Sequence, residues 1–212
     1  MANVIKLRKG LDVNLKGKAA KEEFQVKKPA VYALVPDDFT GMKPKVVVKE
    51  NDVVKVGDSL FVDKNHPEIK FVSPVSGRVT MVERGDRRKV LSVRVEADAE
   101  QQYVDFGKKN VGQMTAQEVK DLLLESGLFG FFRQRPYDVT ANPSDTPKAI
   151  FVSAFNSMPL AADFEYVLRG READFQAGLD ALAKMAKTYL GVSSKQTATA
   201  LTAAKNVEIN FF

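Results

Sequence analysis

The residues with the greatest chemical capacity lie in one run, Phe129-Gly130-Phe131-Phe132-Arg133-Gln134-Arg135-Pro136-Tyr137. Aromatic faces can sandwich a planar ring, and a guanidinium can stack on it or donate hydrogen bonds to it. A quinone needs such donors at its two carbonyls and an apolar groove for its tail. Phe131, Phe132, Arg133, Arg135 and Tyr137 are therefore the candidates to meet such a planar ring. The competing reading is architectural: Phe129 and Phe132 bury in a core while Arg133 and Arg135 hold carboxylates.

No catalytic set emerges beside this run, and no catalytic residue is assigned. The chain has no cysteine, which removes disulfides, thiolate metal ligands, iron–sulfur ligation and thiol nucleophiles. His66 is the only histidine and lies in the turn Asp63-Lys64-Asn65-His66-Pro67, so no metal site is expected. No Gly-x-Gly-x-x-Gly and no Gly-Lys-Ser/Thr is present, and backbone amides cannot approach a phosphate closely without such glycines. Lys64 is the only candidate for a lipoyl- or biotinyl-type lysine. It follows Asp63 between two half-repeats, where a lipoyl domain presents Asp-Lys-Ala. Here Asn-His-Pro follows and the biotinyl Met-Lys-Met is missing, so no modified lysine is expected.

The elements that would position these groups divide the chain. Residues 46–77 place Lys-Glu-Asn-Asp and Lys-Val-Gly-Asp turns on either side of a short β-branched strand, then Ser-Pro-Val-Ser-Gly before the next. This is the pattern of a small flattened barrel with near-repeated halves, as in biotinyl and lipoyl carrier domains. Short Val-rich strands are expected at 4–7, 13–15, 30–35, 46–48, 53–56, 59–62, 69–72, 79–82 and 90–95, the last two forming a hairpin. The run at 30–35 reads as buried. The barrel domain is assigned to residues 1–103, and a carrier or adaptor built on it is the alternative functional reading.

Residues 104–148 read as a helix and an irregular connector. Thr115-Ala116-Gln117-Glu118 is a capping box that opens a helix over 115–126, and Gly127 is placed to end it. Residues 149–212 read as part of an α/β unit. The run 149–155 looks like a buried strand, and Phe175, Leu179, Leu182, Ala186 and Tyr189 recur at helical spacing. A further helix is expected over about 195–205 and a strand over 207–212. Two or so parallel strands do not complete a doubly wound sheet, so either the chain is a fragment of a longer protein, the favoured reading, or its third region packs on the first.

The formal charge of +5 belongs to the β-rich half. Residues 1–100 hold 20 Lys/Arg against 15 Asp/Glu, and residues 101–212 hold 12 of each. Such a surface could meet an anionic partner or serve as a solvated face. The basic residues are not interleaved with aromatics on strands, so no nucleic acid is expected. No apolar run approaches the ~20 residues that span a bilayer, and residues 1–10 do not form a secretory signal.

Several segments, in collinear order, resemble one family. They are Ile5-Lys6-Leu7-Arg8-Lys9-Gly10-Leu11-Asp12, Gly41-Met42-Lys43-Pro44-Lys45-Val46, Val56-Gly57-Asp58-Ser59-Leu60-Phe61 and Ser73-Pro74-Val75-Ser76-Gly77-Arg78-Val79. Arg133-Gln134-Arg135-Pro136, Pro147-Lys148-Ala149-Ile150-Phe151-Val152 and Pro159-Leu160-Ala161-Ala162-Asp163 complete the set. The chain is similar to the N-terminal part of the A subunit of the sodium-translocating NADH:quinone reductase. That resemblance implies an α+β chain: a barrel-sandwich hybrid domain, then part of a Rossmann-like α/β domain without a nucleotide site. It implies a peripheral subunit on the cytoplasmic face of the bacterial inner membrane, in a complex that couples NADH oxidation and quinone reduction to Na⁺ export. It further implies that this chain holds no cofactor, that NADH, flavins and iron–sulfur centres belong to partner subunits, and that the protein contributes to quinone binding, with Phe131, Phe132, Arg133, Arg135 and Tyr137 as the candidate quinone-binding residues. Asn51 stands where the family pattern leads one to expect glycine, and asparagine tolerates the positive φ of such a turn.

Overall fold

The structure is a computed structural model that describes residues 3–6, 15–17 and 19–212. The end of the strand expected at 4–7 and most of the strand expected at 13–15 lie outside these residues. The chain divides into two units: residues 26–108 with 120–146, and the described part of 1–25 with 109–119 and 147–212.

The first described strand, β1 (Asn3–Val4), belongs to the second unit rather than to the barrel expected for residues 1–103. The first unit is a pair of antiparallel sheets. Its strands are β2 (Val31–Leu34), β3 (Pro44–Val46), β4 (Val53–Val54), β5 (Ser59–Asp63), β6 (Lys70–Val72), β7 (Gly77–Arg84) and β8 (Val90–Ala97). One sheet has the order β2-β8-β7-β4 and the other β3-β5-β6. Leu60, Phe61, Ile69, Phe71, Val79, Val93 and Val95 fill the core of this unit. The alternation along β8, with Val93 and Val95 inward, is what a half-buried antiparallel strand requires. β2 is an edge strand, and Val31 is exposed; an apolar run did not distinguish an edge from a buried strand.

Two equivalent turns set the register of the halves. In Lys49-Glu50-Asn51-Asp52 the Asp52 carboxylate accepts from the Lys49 amide at 2.7 Å; in Lys55-Val56-Gly57-Asp58 the Asp58 carboxylate accepts from the Lys55 amide at 2.7 Å. Each aspartate amide donates back to its lysine carbonyl at 3.1 Å. The third residue of each turn is left-handed, Asn51 at φ 75° and Gly57 at φ 98°. The turn after β6 is tied differently. The Ser76 hydroxyl donates to Asp98 and accepts from the Gln102 amide, and a Cβ on Gly77 would collide with the Glu96 carbonyl.

Helix α1 (Ala116–Glu125) forms as its capping box predicts. Thr115 Oγ1 accepts from the Glu118 amide at 3.2 Å, and Glu118 Oε2 accepts from the Thr115 amide at 2.7 Å. Gly127 ends it at φ 76°, close against Val72. Within 128–148 a 3₁₀ turn (Phe129–Phe131) leads to a small hairpin, β9 (Arg133–Gln134) and β10 (Val139–Thr140).

The second unit is a parallel sheet. Its further strands are β11 (Ile150–Ser153), β12 (Thr188–Val192) and β13 (Glu208–Phe211), in the order β1-β13-β12-β11. Helices α2 (Phe164–Leu168) and α3 (Glu172–Met185) connect β11 to β12, and α4 (Thr199–Thr202) connects β12 to β13. Asp163 caps α2, accepting from the Glu165 and Tyr166 amides, and Lys21 pairs with it at 2.7 Å. Lys21 and these amides hold the Asp163 carboxyl below the usual aspartate range. Leu179, Leu190, Val192 and Leu201 form the core.

In this α/β unit three further expectations are corrected. The helical spacing through Tyr189 ends at Met185, because Thr188–Val192 is the central strand of the sheet. The expected helix at 195–205 shortens to Thr199–Thr202. The run 149–155 is not a buried strand: β11 is an edge, and Phe151 is 76% exposed, stacked on Tyr189.

Candidate functional site

The aromatic–arginine run becomes the β9–β10 hairpin and the turn before it. The hairpin is strapped to the loop after β2. The Thr140 amide and hydroxyl both donate to the Thr40 carbonyl, at 2.8 and 3.2 Å, and within the hairpin the Ala141 amide donates to the Phe132 carbonyl at 2.9 Å. Gly41, at φ 87°, lets the strap close, since a Cβ there would meet the Val139 side chain at 2.8 Å.

The five candidate residues divide by role. Phe132 is half-buried, tilted against Phe129 at 5.4 Å and packed on the barrel core. Phe131 is exposed and meets Phe39 edge to face at 5.7 Å. Phe39 in turn contacts Phe71, which stacks on Phe61, so a file of rings runs from the core to the surface. Arg133 bridges two loops, its guanidinium donating to the Asp138 carbonyl at 3.3 Å and the Asp38 carbonyl at 3.0 Å. Arg135 meets the Asp138 carboxylate at 3.5 Å and stays mostly exposed. Tyr137 is 80% exposed at the hairpin turn. The hairpin thus presents Phe131, Arg135 and Tyr137 outward, while Phe132 and Arg133 brace it. The sequence reading missed Asp38, Phe39 and Thr40, which make the other side of this surface. They lie about a hundred residues away, and no local pattern marks them.

Lys64 is exposed in the turn after β5, and its amide donates to the Lys43 carbonyl at 2.7 Å. The preceding Asp63 is buried and accepts from the Lys43 and Asn65 amides, so its carboxylate shapes the turn. His66 lies 3.7 Å from Glu68. Among the described residues no group of three or more His, Cys, Asp or Glu side chains could hold a metal ion.

In the α/β unit a cleft of about 420 Å³ is lined by Ala183, Ala186, Lys187, Thr188, Val207 and Glu208. Tyr189 and the Glu208 carboxylate, 2.9 Å away, hold the Lys187 ammonium above the ordinary lysine range. Thr188 and Glu208 begin their strands, so the cleft lies at the amino ends, whereas open α/β sheets bind ligands at the carboxyl ends. Beyond the carboxyl end of β11, the loop Asn156-Ser157-Met158-Pro159-Leu160 contains no glycine. Its Asn156 side chain is engaged by the Met158 amide. The order of elements is that of a nucleotide-binding fold, and the loop chemistry is not.

An antiparallel barrel-sandwich followed by a parallel α/β unit defines a two-part, barrel-sandwich class of chain, and comparison with known proteins places it more finely. The profile described as the NqrA N-terminal barrel-sandwich hybrid domain matches residues 5–98, and that of the NqrA second alpha/beta domain matches residues 114–212. Among curated proteins, the A subunit of the Na(+)-translocating NADH-quinone reductase of Pseudomonas aeruginosa (strain UCBPP-PA14) is 35% identical over 190 residues, 88% of this chain and 42% of the relative. The proteins of the same name from Yersinia pestis bv. Antiqua (strain Angola) and Serratia proteamaculans (strain 568) are 36% and 37% identical, each over 86% of this chain and 41% of the relative. The chain belongs to the NqrA family, the A subunits of the Na(+)-translocating NADH-quinone reductases. It spans about two-fifths of the length of the curated relatives it matches. No helix among the described residues is long and apolar enough to cross a membrane.

Proposed function

We propose that this chain is the N-terminal part of a peripheral, non-catalytic subunit of a sodium-pumping NADH:quinone reductase. The complex oxidises NADH, reduces quinone and exports Na⁺; this chain supplies scaffold. NADH, flavins and iron–sulfur centres belong to its partners, both membrane-embedded and peripheral, and its place is the cytoplasmic face of the bacterial inner membrane. The observation that carries this reading is the match of two successive domains of one family, in order, along nearly the whole chain. The exposed Phe131, Arg135 and Tyr137, braced by Phe132 and Arg133, are the surface on which a quinone ring would be met.

The test is a pull-down of the tagged protein from detergent-solubilised membranes, with partners identified by mass. Recovery of the other reductase subunits is the expected result. Recovery of none, with the tagged chain folded, removes the assignment.

A further inference from the structure

The β7–β8 hairpin runs past the sheet that holds it. β2 pairs with β8 only from Val93 to Glu96, and β4 pairs with β7 only at Gly77 and Arg78. Residues 82–84 and 90–93 of the hairpin pair with one another. At its tip, residues 84–89 place four cations and one carboxylate in six positions. Lys89 is held by Asp37 at 2.6 Å, and the nearby Arg94 is held by Glu83 at 2.6 Å. Arg84, Arg87 and Arg88 are exposed and make no ion pair among the described residues; the Arg84 guanidinium donates to the Arg88 carbonyl.

The turn that presents them is strained. Arg87 and Arg88 are both left-handed, at φ 53° and 61°, and the Lys89 amide closes the turn on the Asp86 carbonyl at 3.0 Å. Asn-Gly fills such a turn with the least strain. Two arginines in its centre accept an unfavourable backbone in order to stand side by side at the end of a ribbon. Leu91, 39% exposed, lies over Gly85 beside them.

We infer that this tip docks on anionic phospholipid headgroups, a role that rests on the peripheral-subunit reading above. Guanidinium groups match phosphate oxygens in pairs of hydrogen bonds. Cations beside an exposed aliphatic side chain are the composition of a contact with a charged bilayer surface. Residues 80–95 contain no aromatic on which a base could stack, which disfavours single-stranded nucleic acid.

Flotation of this chain with phosphatidylcholine vesicles, with and without phosphatidylglycerol, tests the inference. The parent floats with the anionic vesicles at low salt and is released at high salt. Arg87→Asn with Arg88→Gly removes two charges and relieves the turn. It is expected to weaken vesicle binding roughly 25-fold, about fivefold for each charge, while the thermal midpoint holds or rises. Arg84→Gln removes one charge and its hydrogen bond to the Arg88 carbonyl while leaving Arg87 and Arg88 in place, and weakens binding about fivefold. Equal partition of the parent onto neutral and anionic vesicles overturns the inference, as does undiminished binding by the folded double variant. Retention by immobilised polyglutamate with no flotation assigns the tip to an acidic protein and overturns it as well. The pull-down reads capture of partner subunits in detergent, so either experiment can fail while the other stands.

Discussion

Arg133 and Arg135 stand two positions apart in one run, yet the fold gives them different work. Arg133 spends its guanidinium on two carbonyls, one five and the other 95 residues away in the chain, whereas Arg135 keeps its own largely free beside Asp138. Removing Arg133 therefore loosens the hairpin, and Arg135 and Tyr137 are the cleaner probes of ring binding. Arg135→Ala with Tyr137→Ala is expected to weaken a short-chain quinone analogue about tenfold, or ~1.4 kcal/mol, with circular dichroism unchanged; isothermal titration calorimetry measures it. Unchanged affinity removes these residues from the site. At this scale the sequence was informative where a side chain acts on its neighbours. Asn51 in place of glycine was legible because positive φ is a local demand. Which phenylalanine faces outward was not, because Phe131 and Phe132 differ only in what folds back to meet them.

Helix α1 is the element most completely written in its own residues, since both hydrogen bonds of its capping box are local. Thr115→Ala is expected to cost about 1 kcal/mol, read by chemical denaturation. The Thr115 amide, then its hydroxyl, holds the Glu118 carboxyl below the ordinary glutamate value of 4.5. The sign follows from linkage. This stabilisation is complete above 4.5 and is lost as pH falls through the lower value of the folded state. The hydrogen-exchange protection factors across Ala116–Glu125, corrected for the intrinsic rate at each pH, should therefore fall in acid, and less so in Glu118→Gln than in the parent. Strand β12 is the opposite case. Ala186 and Tyr189 happen to continue the spacing of α3, so a helical period ran on over Thr-Tyr-Leu-Gly-Val. Its β-branched and aromatic content was the competing signal, and tertiary pairing on both sides decided it. For β2 and β11 the strands were legible and their burial was not, because position in a sheet is set by partners remote in sequence.

For the whole molecule, each unit has its own apolar centre, built on Phe61 and Phe71 in one and Leu190 and Val192 in the other. Leu190 has no exposed surface, so Leu190→Ala should cost about 2–5 kcal/mol; native-state hydrogen exchange in β11, β12 and β13 measures it. The two-part order of the chain was legible in turn chemistry and strand lengths. The placement of β1 was not, since Asn3 and Val4 pair with Asn210 and Phe211. That pairing carries a cost in time. On a ribosome adding about 5–20 residues each second, the earlier segment waits roughly 10–40 s for its neighbour to be made. Until then it is an unsatisfied edge, the kind of segment a nascent-chain chaperone would shield, and these four strands come together only after nearly all of the residues between them have been translated.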